Sequence, residues 1–190
     1  MQTSPTLRIN RAPVLTLWAA VVAEQLGVPH ASALTMGQAL AGLTAYSKGV
    51  RLGIYAPPEQ RPHEPAPPLP KGVTKVHDVV LLGRLIHVAD TANGPRAMAK
   101  GDLVKPEAVE RYLTSKFGEA LDDVRVEMEQ LASRFPPDQL KQEGFRLYEQ
   151  FRPTVPPDER GWGAKGVLNI AKIRALAPRC PDQSAARRPG

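Results

Sequence analysis

Apolar positions follow two rhythms along this chain, and the changes of rhythm mark its elements. Residues 13–26 read Pro-Val-Leu-Thr-Leu-Trp-Ala-Ala-Val-Val-Ala-Glu-Gln-Leu. Asn10 stands before the run as a candidate cap, Pro13 suits a first turn, and Gly27 and Pro29 stop it, so a helix is expected. A helix apolar on almost every side must be wrapped by other elements or by a second copy of the chain, and a homo-oligomer is therefore expected. A second helix follows over residues 32–47, with Leu34, Met36, Leu40, Leu43 and Tyr46 among its apolar positions. Gly37 and Gly42 inside it are costly for a helix and are read as permitting close helix approach. Residues 47–54 then leave the helix as a basic, glycine-spaced turn or short strand.

Residues 57–70 hold seven prolines in fourteen positions, which suits neither a helix nor a central strand and reads as an extended linker. Beyond it, residues 79–88 form a compact apolar run around Gly83. Its valines and the Asn93-Gly94 signal favour a strand turning back through Arg96 to Val104, although a short buried helix capped by Asp78 competes. From Pro106 onward the helical period takes over. Val109, Tyr112, Leu113 and Phe117 lie on one stripe that ends at Gly118. Leu121, Val124, Met128, Leu131 and Phe135 lie on the next. Leu140, Gly144, Leu147, Tyr148 and Phe151 follow after Pro136-Pro137, and Asn169 caps a last helix with Ile170, Ile173 and Leu176. The expected fold is mainly α: an N-terminal helical pair over 1–56, a Pro-rich linker over 57–71, a small β-hairpin plus a three- to four-helix bundle over 72–177, and a disordered tail over 178–190.

Composition narrows the function classes. With 42% apolar and 23% charged residues over 190 positions, the chain can bury a real core. Its one cysteine, Cys180, excludes an intramolecular disulfide framework and a cysteine-cluster metal site. No apolar run reaches the length of a membrane span, and a cytoplasmic protein without membrane contact is expected. Arg8 and Arg11, the apolar stretch to Ala23 and the small residues Ala31-Ser32-Ala33 imitate a secretory signal; Pro13, Trp18 and the second apolar helix argue against one.

The net charge of +6 is unevenly spread. Residues 1–55 carry four basic groups (Arg8, Arg11, Lys48, Arg51) against Glu24 alone. Residues 106–153 carry seven against ten acids, and residues 154–190 carry seven against three. A basic head and a basic tail flank an acidic middle, and a polyanion would be drawn to the two ends.

Ala23, Leu26, Gly27, Val28, Ala33 and Met36 fall where a helix-turn-helix unit wants a small residue, a turn glycine and inward apolar contacts. In these terms the segment 22–40 resembles a helix-turn-helix DNA-binding motif, and the resemblance implies that His30, Ser32, Thr35 and Gln38 face the groove. The same residues fit an antiparallel helical hairpin used for packing or dimerisation.

Gly161-Trp162-Gly163-Ala164-Lys165-Gly166 matches G-x-G-x-x-G in form only, since no strand precedes it and no helix opens on its last glycine. It reads instead as a tight turn under Trp162, or as a basic loop in which Arg160 and Lys165 meet phosphates and Trp162 stacks on a base. His77, Asp78, His87 and Asp90 cluster without any established ligand spacing, and no cofactor or metal is expected. No nucleophile, base and orienting group stand in a recognisable context, so neither an enzyme nor a small-molecule substrate is expected. The acids of 119–129 read as a solvated helix face around Arg125.

These patterns lead to a non-enzymatic DNA-binding protein of regulatory or chromosome-associated type. Arg8, Arg11, Lys48 and Arg51 would contact phosphates at one end, and Arg160, Lys165, Lys172 and Arg174 at the other. The alternative is a protein–protein adaptor or assembly factor whose helical pair dimerises or docks a partner.

Overall fold

The computed structural model describes residues 5–53, 68–160 and 163–176. In chain order it contains β1 (Thr6–Ile9), α1 (Arg11–Gln25), α2 (His30–Arg51), β2 (Lys75–Leu81), β3 (Arg84–Thr91), β4 (Gly94–Ala99), β5 (Asp102–Leu103), α3 (Pro106–Phe117), α4 (Leu121–Ser133), α5 (Pro137–Phe151), β6 (Gly166–Asn169) and α6 (Ile170–Leu176). A single turn of tighter helix, Gly118–Ala120, joins α3 to α4.

The all-round apolar character of α1 is answered within the chain. Every residue from Pro13 to Ala23 is buried, with α2 along one side and α3, α4 and α5 around the rest. At its centre Trp18 is fully buried and its indole N–H donates to the carbonyl of Gly144 at 2.8 Å. Phe151 meets the indole edge-on, with ring centroids 5.3 Å apart. Gly37 permits the close approach of α1 and α2, because a Cβ there would lie 2.4 Å from the Thr16 carbonyl oxygen. Gly42 has open space instead, so close approach does not account for it. The stripes on α3, α4 and α5 join the same core through Val109, Leu113, Phe117, Val124, Met128, Leu131, Leu140, Leu147 and Phe151.

The expectation of a mainly α chain with one small hairpin is overturned. Among the described residues six strands form two antiparallel sheets, and the fold is mixed α/β. Part of the strand content comes from turns. Leu82 and Gly83 both have positive φ (48° and 73°), as do Lys100 and Gly101 (52° and 83°). Two central residues with positive φ match the twist of flanking strands, so each pair closes a two-residue hairpin. The run 79–88 is therefore a hairpin in its own right, with Leu81 opposite Arg84, rather than one strand. The Asn93-Gly94 signal does turn the chain, between Thr91 and Gly94. The four strands lie in the order β2-β3-β4-β5.

The second sheet joins the ends of the chain: β1 pairs with β6, Thr6 opposite Asn169 and Ile9 opposite Gly166. Two further corrections are local. Residues 47–51 continue α2 instead of leaving it, and the helix ends at Leu52 before Gly53 takes φ +73°. Val167 and Leu168, ahead of the last helix, belong to a strand, β6, that the sequence reading did not expect. Asn169 does cap α6, accepting from the Ala171 N–H at 3.0 Å. Most of the proline-rich linker, and the tail 178–190, lie outside the described residues. Among the described residues no helix is long and apolar enough to cross a membrane.

Candidate polyanion interface

Of the residues proposed to read a groove, His30 is exposed and Gln38 half-buried, while Ser32 and Thr35 are not on a free surface. Ser32 and Thr35 are 1% and 0% exposed. The Thr35 hydroxyl donates to the Ser32 carbonyl at 2.7 Å and accepts from the Ala97 N–H of β4 at 2.9 Å. Arg96, also on β4, donates to the Ser32 hydroxyl at 3.2 Å. This face of α2 thus holds the meander in place, and the helix-turn-helix resemblance does not extend to an exposed reading face. The Gln38 side-chain oxygen is buried as well, with no hydrogen-bond partner among the described residues.

His30 belongs to a charged knot at the α1–α2 turn. Its Nδ1 lies 2.6 Å from Glu24, and its Nε2 lies 3.5 Å from Glu110 of α3. Arg125 of α4 pairs with the same Glu24 at 2.6 Å and with Glu129 at 2.7 Å. The acidic face of 119–129 is therefore partly engaged in tying α4 to α1. A groove of about 500 Å³ beside it is lined by Val21, Glu24, Gln25, Val126, Glu129, Gln130 and Ser133. Its carboxylates make it a poor seat for an anion.

The proposed phosphate contacts divide into two groups. Arg174 is held by Glu127 of α4, with its Nε 3.1 and 3.2 Å from the two carboxylate oxygens and its Nη2 closer still. Lys172 is exposed on the same short helix. Lys48 and Arg51 are exposed in the last turn of α2, where positive charge complements the carbonyl end of the helix. Arg8, Arg11 and Lys165 do come together, at the seam made by β1 and β6. Arg8 stands opposite Val167, Asn10 donates to the Ala164 carbonyl at 3.4 Å, and Lys165 immediately precedes the Gly166 that faces Ile9.

Close packing fixes that seam. A Cβ on Gly166 would lie 2.8 Å from the Pro153 carbonyl carbon and 2.9 Å from that of Thr154, so only glycine fits. Thr154 and Val167 exchange backbone hydrogen bonds of 3.0 and 2.9 Å. The last glycine of the G-x-G-x-x-G match thus enters a strand against the end of α5 and does not open a helix around a pyrophosphate.

The end of α5 brings a residue that sequence reasoning missed. Arg11 donates from Nε to the Pro153 carbonyl at 3.0 Å, which sets its guanidinium beside the segment carrying Arg152. Burial, and then the positive charge of Arg152, lower the Arg11 pKa from its ordinary value. The Tyr148 hydroxyl donates to the Arg11 carbonyl at 3.3 Å. Burial pushes its pKa up to about 12 against the opposing pull of Arg11 and Arg152. Neither arginine has a carboxylate partner among the described residues, whereas Arg8 pairs with Glu159 at 2.8 Å. Arg152 was overlooked because it lies in the acidic stretch 106–153, whose summed charge hid it. The arginine directly after the apolar stripe of α5 was the available signal.

Arg160 is exposed beyond Glu159, and Trp162 lies outside the described residues, as does Cys180. Of the histidine–aspartate cluster, His87 lies 2.6 Å from Asp78 and His77 3.8 Å from Asp90, two separate pairs on the β2–β3 hairpin. Among the described residues no group of three or more histidine, cysteine or carboxylate side chains could hold a metal ion. Set against models of known families, curated proteins and solved structures, the chain matches none.

Proposed function

We propose that this chain is a non-enzymatic nucleic-acid-binding protein that grips the phosphate backbone at the β1–β6 seam. The supporting observation is the meeting of Arg11 and Arg152 without a carboxylate, on a surface where the two basic ends of the chain pair strand to strand. The Arg11 guanidinium, held by a backbone hydrogen bond and facing no carboxylate among the described residues, is a pre-positioned phosphate donor, and Arg152 adds a second charge beside it. With the groove-reading face of α2 covered by β4, the contact is to phosphates and carries little base specificity.

Binding to duplex DNA over a salt series tests this. If Arg11, Arg152, Lys165 and Arg160 each neutralise one phosphate, log affinity falls against log salt with a slope of about −3.6. That corresponds to about a 150-fold loss between ~50 and ~200 mM salt. Reversing Lys165 and Arg160 to glutamate lowers affinity for all sequences and flattens the slope. An unchanged slope in that variant, or no binding at low salt, removes the proposal.

The adaptor reading has one observation in its favour, away from the helical pair. Val80 and Leu85 face each other across the β2–β3 hairpin at 66% and 51% exposure. Replacing both with aspartate would abolish a protein contact there and leave duplex binding unaltered.

A further inference from the structure

We infer that Arg11 and Arg152 together seat a terminal phosphate monoester of a nucleic-acid strand, a group distinct from the internal diesters of the backbone. This rests on the reading of the seam as a phosphate-binding surface and makes it more specific.

The argument is one of charge and geometry. The Nε of Arg11 is spent on the Pro153 carbonyl, which orients the fork and leaves both terminal nitrogens of the guanidinium to donate elsewhere. Arg152, one residue before that carbonyl, is exposed and has no hydrogen bond or ion pair from its side chain among the described residues. Two neighbouring positive charges repel: the Arg11 pKa is lowered first by burial and then by the charge of Arg152. An internal diester supplies one negative charge, enough to offset one of them. A monoester near neutral pH carries close to two, and its three terminal oxygens can accept from both forks at once.

The surrounding charges limit alternatives. Arg8 is engaged by Glu159, and Glu149 on the last turns of α5 acts on Tyr148. Lys165 adds positive charge at the start of β6. Tyr148 and Phe151 of α5 are buried, and the Tyr148 hydroxyl donates to the Arg11 carbonyl.

The test compares one short duplex in two forms, with and without phosphate on its strand ends, by fluorescence anisotropy at a single salt concentration. The phosphorylated form should bind about tenfold more tightly, the scale of one added charge-assisted contact. Arg11→Gln and Arg152→Gln should each erase that difference, and each should also weaken the dephosphorylated duplex by the one backbone contact it supplies, with Lys165 and Arg160 keeping the remainder measurable. Arg11→Lys, which keeps the charge but loses the fork, should retain only part of it, and melting curves confirm that each variant is folded. Inorganic phosphate and a free mononucleotide serve as competitors. Displacement of the phosphorylated end by inorganic phosphate alone shows that the seat recognises the phosphate group whatever carries it. Equal binding of the two duplexes overturns the terminal-phosphate seat and leaves the backbone reading intact. Binding of mononucleotide but not duplex, lost in both glutamine variants, keeps the seat and overturns the nucleic-acid reading.

Discussion

Glycines 37 and 42 show how much the same residue type can differ between two turns of one helix. An alanine methyl at position 37 would press on the Thr16 carbonyl oxygen and on the Ala20 nitrogen at 3.2 Å, both backbone atoms that cannot swing aside. Gly37→Ala is therefore expected to destabilise by about 1–3 kcal/mol, the usual range for overpacking. Gly42→Ala meets nothing within 4 Å and should stabilise by about 1 kcal/mol through helix propensity. Urea midpoints at constant m-value distinguish the two outcomes. Tyr148 gives a second expectation at this scale. Its folded pKa is raised to about 12 by burial, so between the ordinary tyrosine range near 10 and that value the unfolded chain ionises first. The unfolded state then holds fewer protons, and stability falls as pH rises through this window. About two units of separation correspond to a loss on the order of 2–3 kcal/mol. Tyr148→Phe should start less stable, having lost the hydrogen bond to Arg11, and should decline less steeply above pH ~10. Parallel alkaline curves for the two proteins would refute the assignment.

Turns decide the four-stranded sheet. Lys100 sits at φ 52° beside Gly101, in the first central position of a hairpin turn that asparagine adopts with far less strain. Because residue 100 is exposed, Lys100→Asn should raise the urea midpoint by about 0.5 kcal/mol equivalent without altering binding. Leu82 has the same backbone strain but a different reason to remain, since its side chain is buried against Gly144. This contrast explains what the sequence disclosed. The helices α3, α4 and α5 were legible because their apolar residues repeat within a few positions, and each stripe proved to be the buried one. The meander was half legible. Asn93-Gly94 has recognised turn chemistry, whereas Leu82-Gly83 places a core residue in a turn and so disguises two strands as one. The face of α2 was misread for a related reason: Ser32 and Thr35 look like groove-facing residues in sequence, yet their hydroxyls satisfy the backbone and a side chain of β4. Nothing local distinguishes a hydroxyl aimed at a strand from one aimed at solvent.

Pairing of β1 with β6 is where the whole molecule enters, since no window of sequence contains both strands. The sequence did place a positive excess at each end, but only the fold determines that Arg11 and Lys165 share a seam while Arg174 is neutralised by Glu127. A binding surface made from the two ends should fail when their pairing loosens, even if no charge is removed. Leu168 is fully buried in β6 opposite Leu7, and Ile86 is comparably buried in β3 of the other sheet. Truncating either to alanine leaves the net charge untouched and should cost about 2–5 kcal/mol by transfer and cavity terms. If the seam is the interface, Leu168→Ala weakens duplex binding by about tenfold or more under conditions where it remains folded, a loss of roughly one charge-assisted contact. Ile86→Ala, matched in melting temperature, binds like the parent. Equal affinities for the two variants would mean that the basic residues act independently of the strand pairing. A loss confined to Ile86→Ala would move the interface to the four-stranded sheet, where Val80 and Leu85 are exposed.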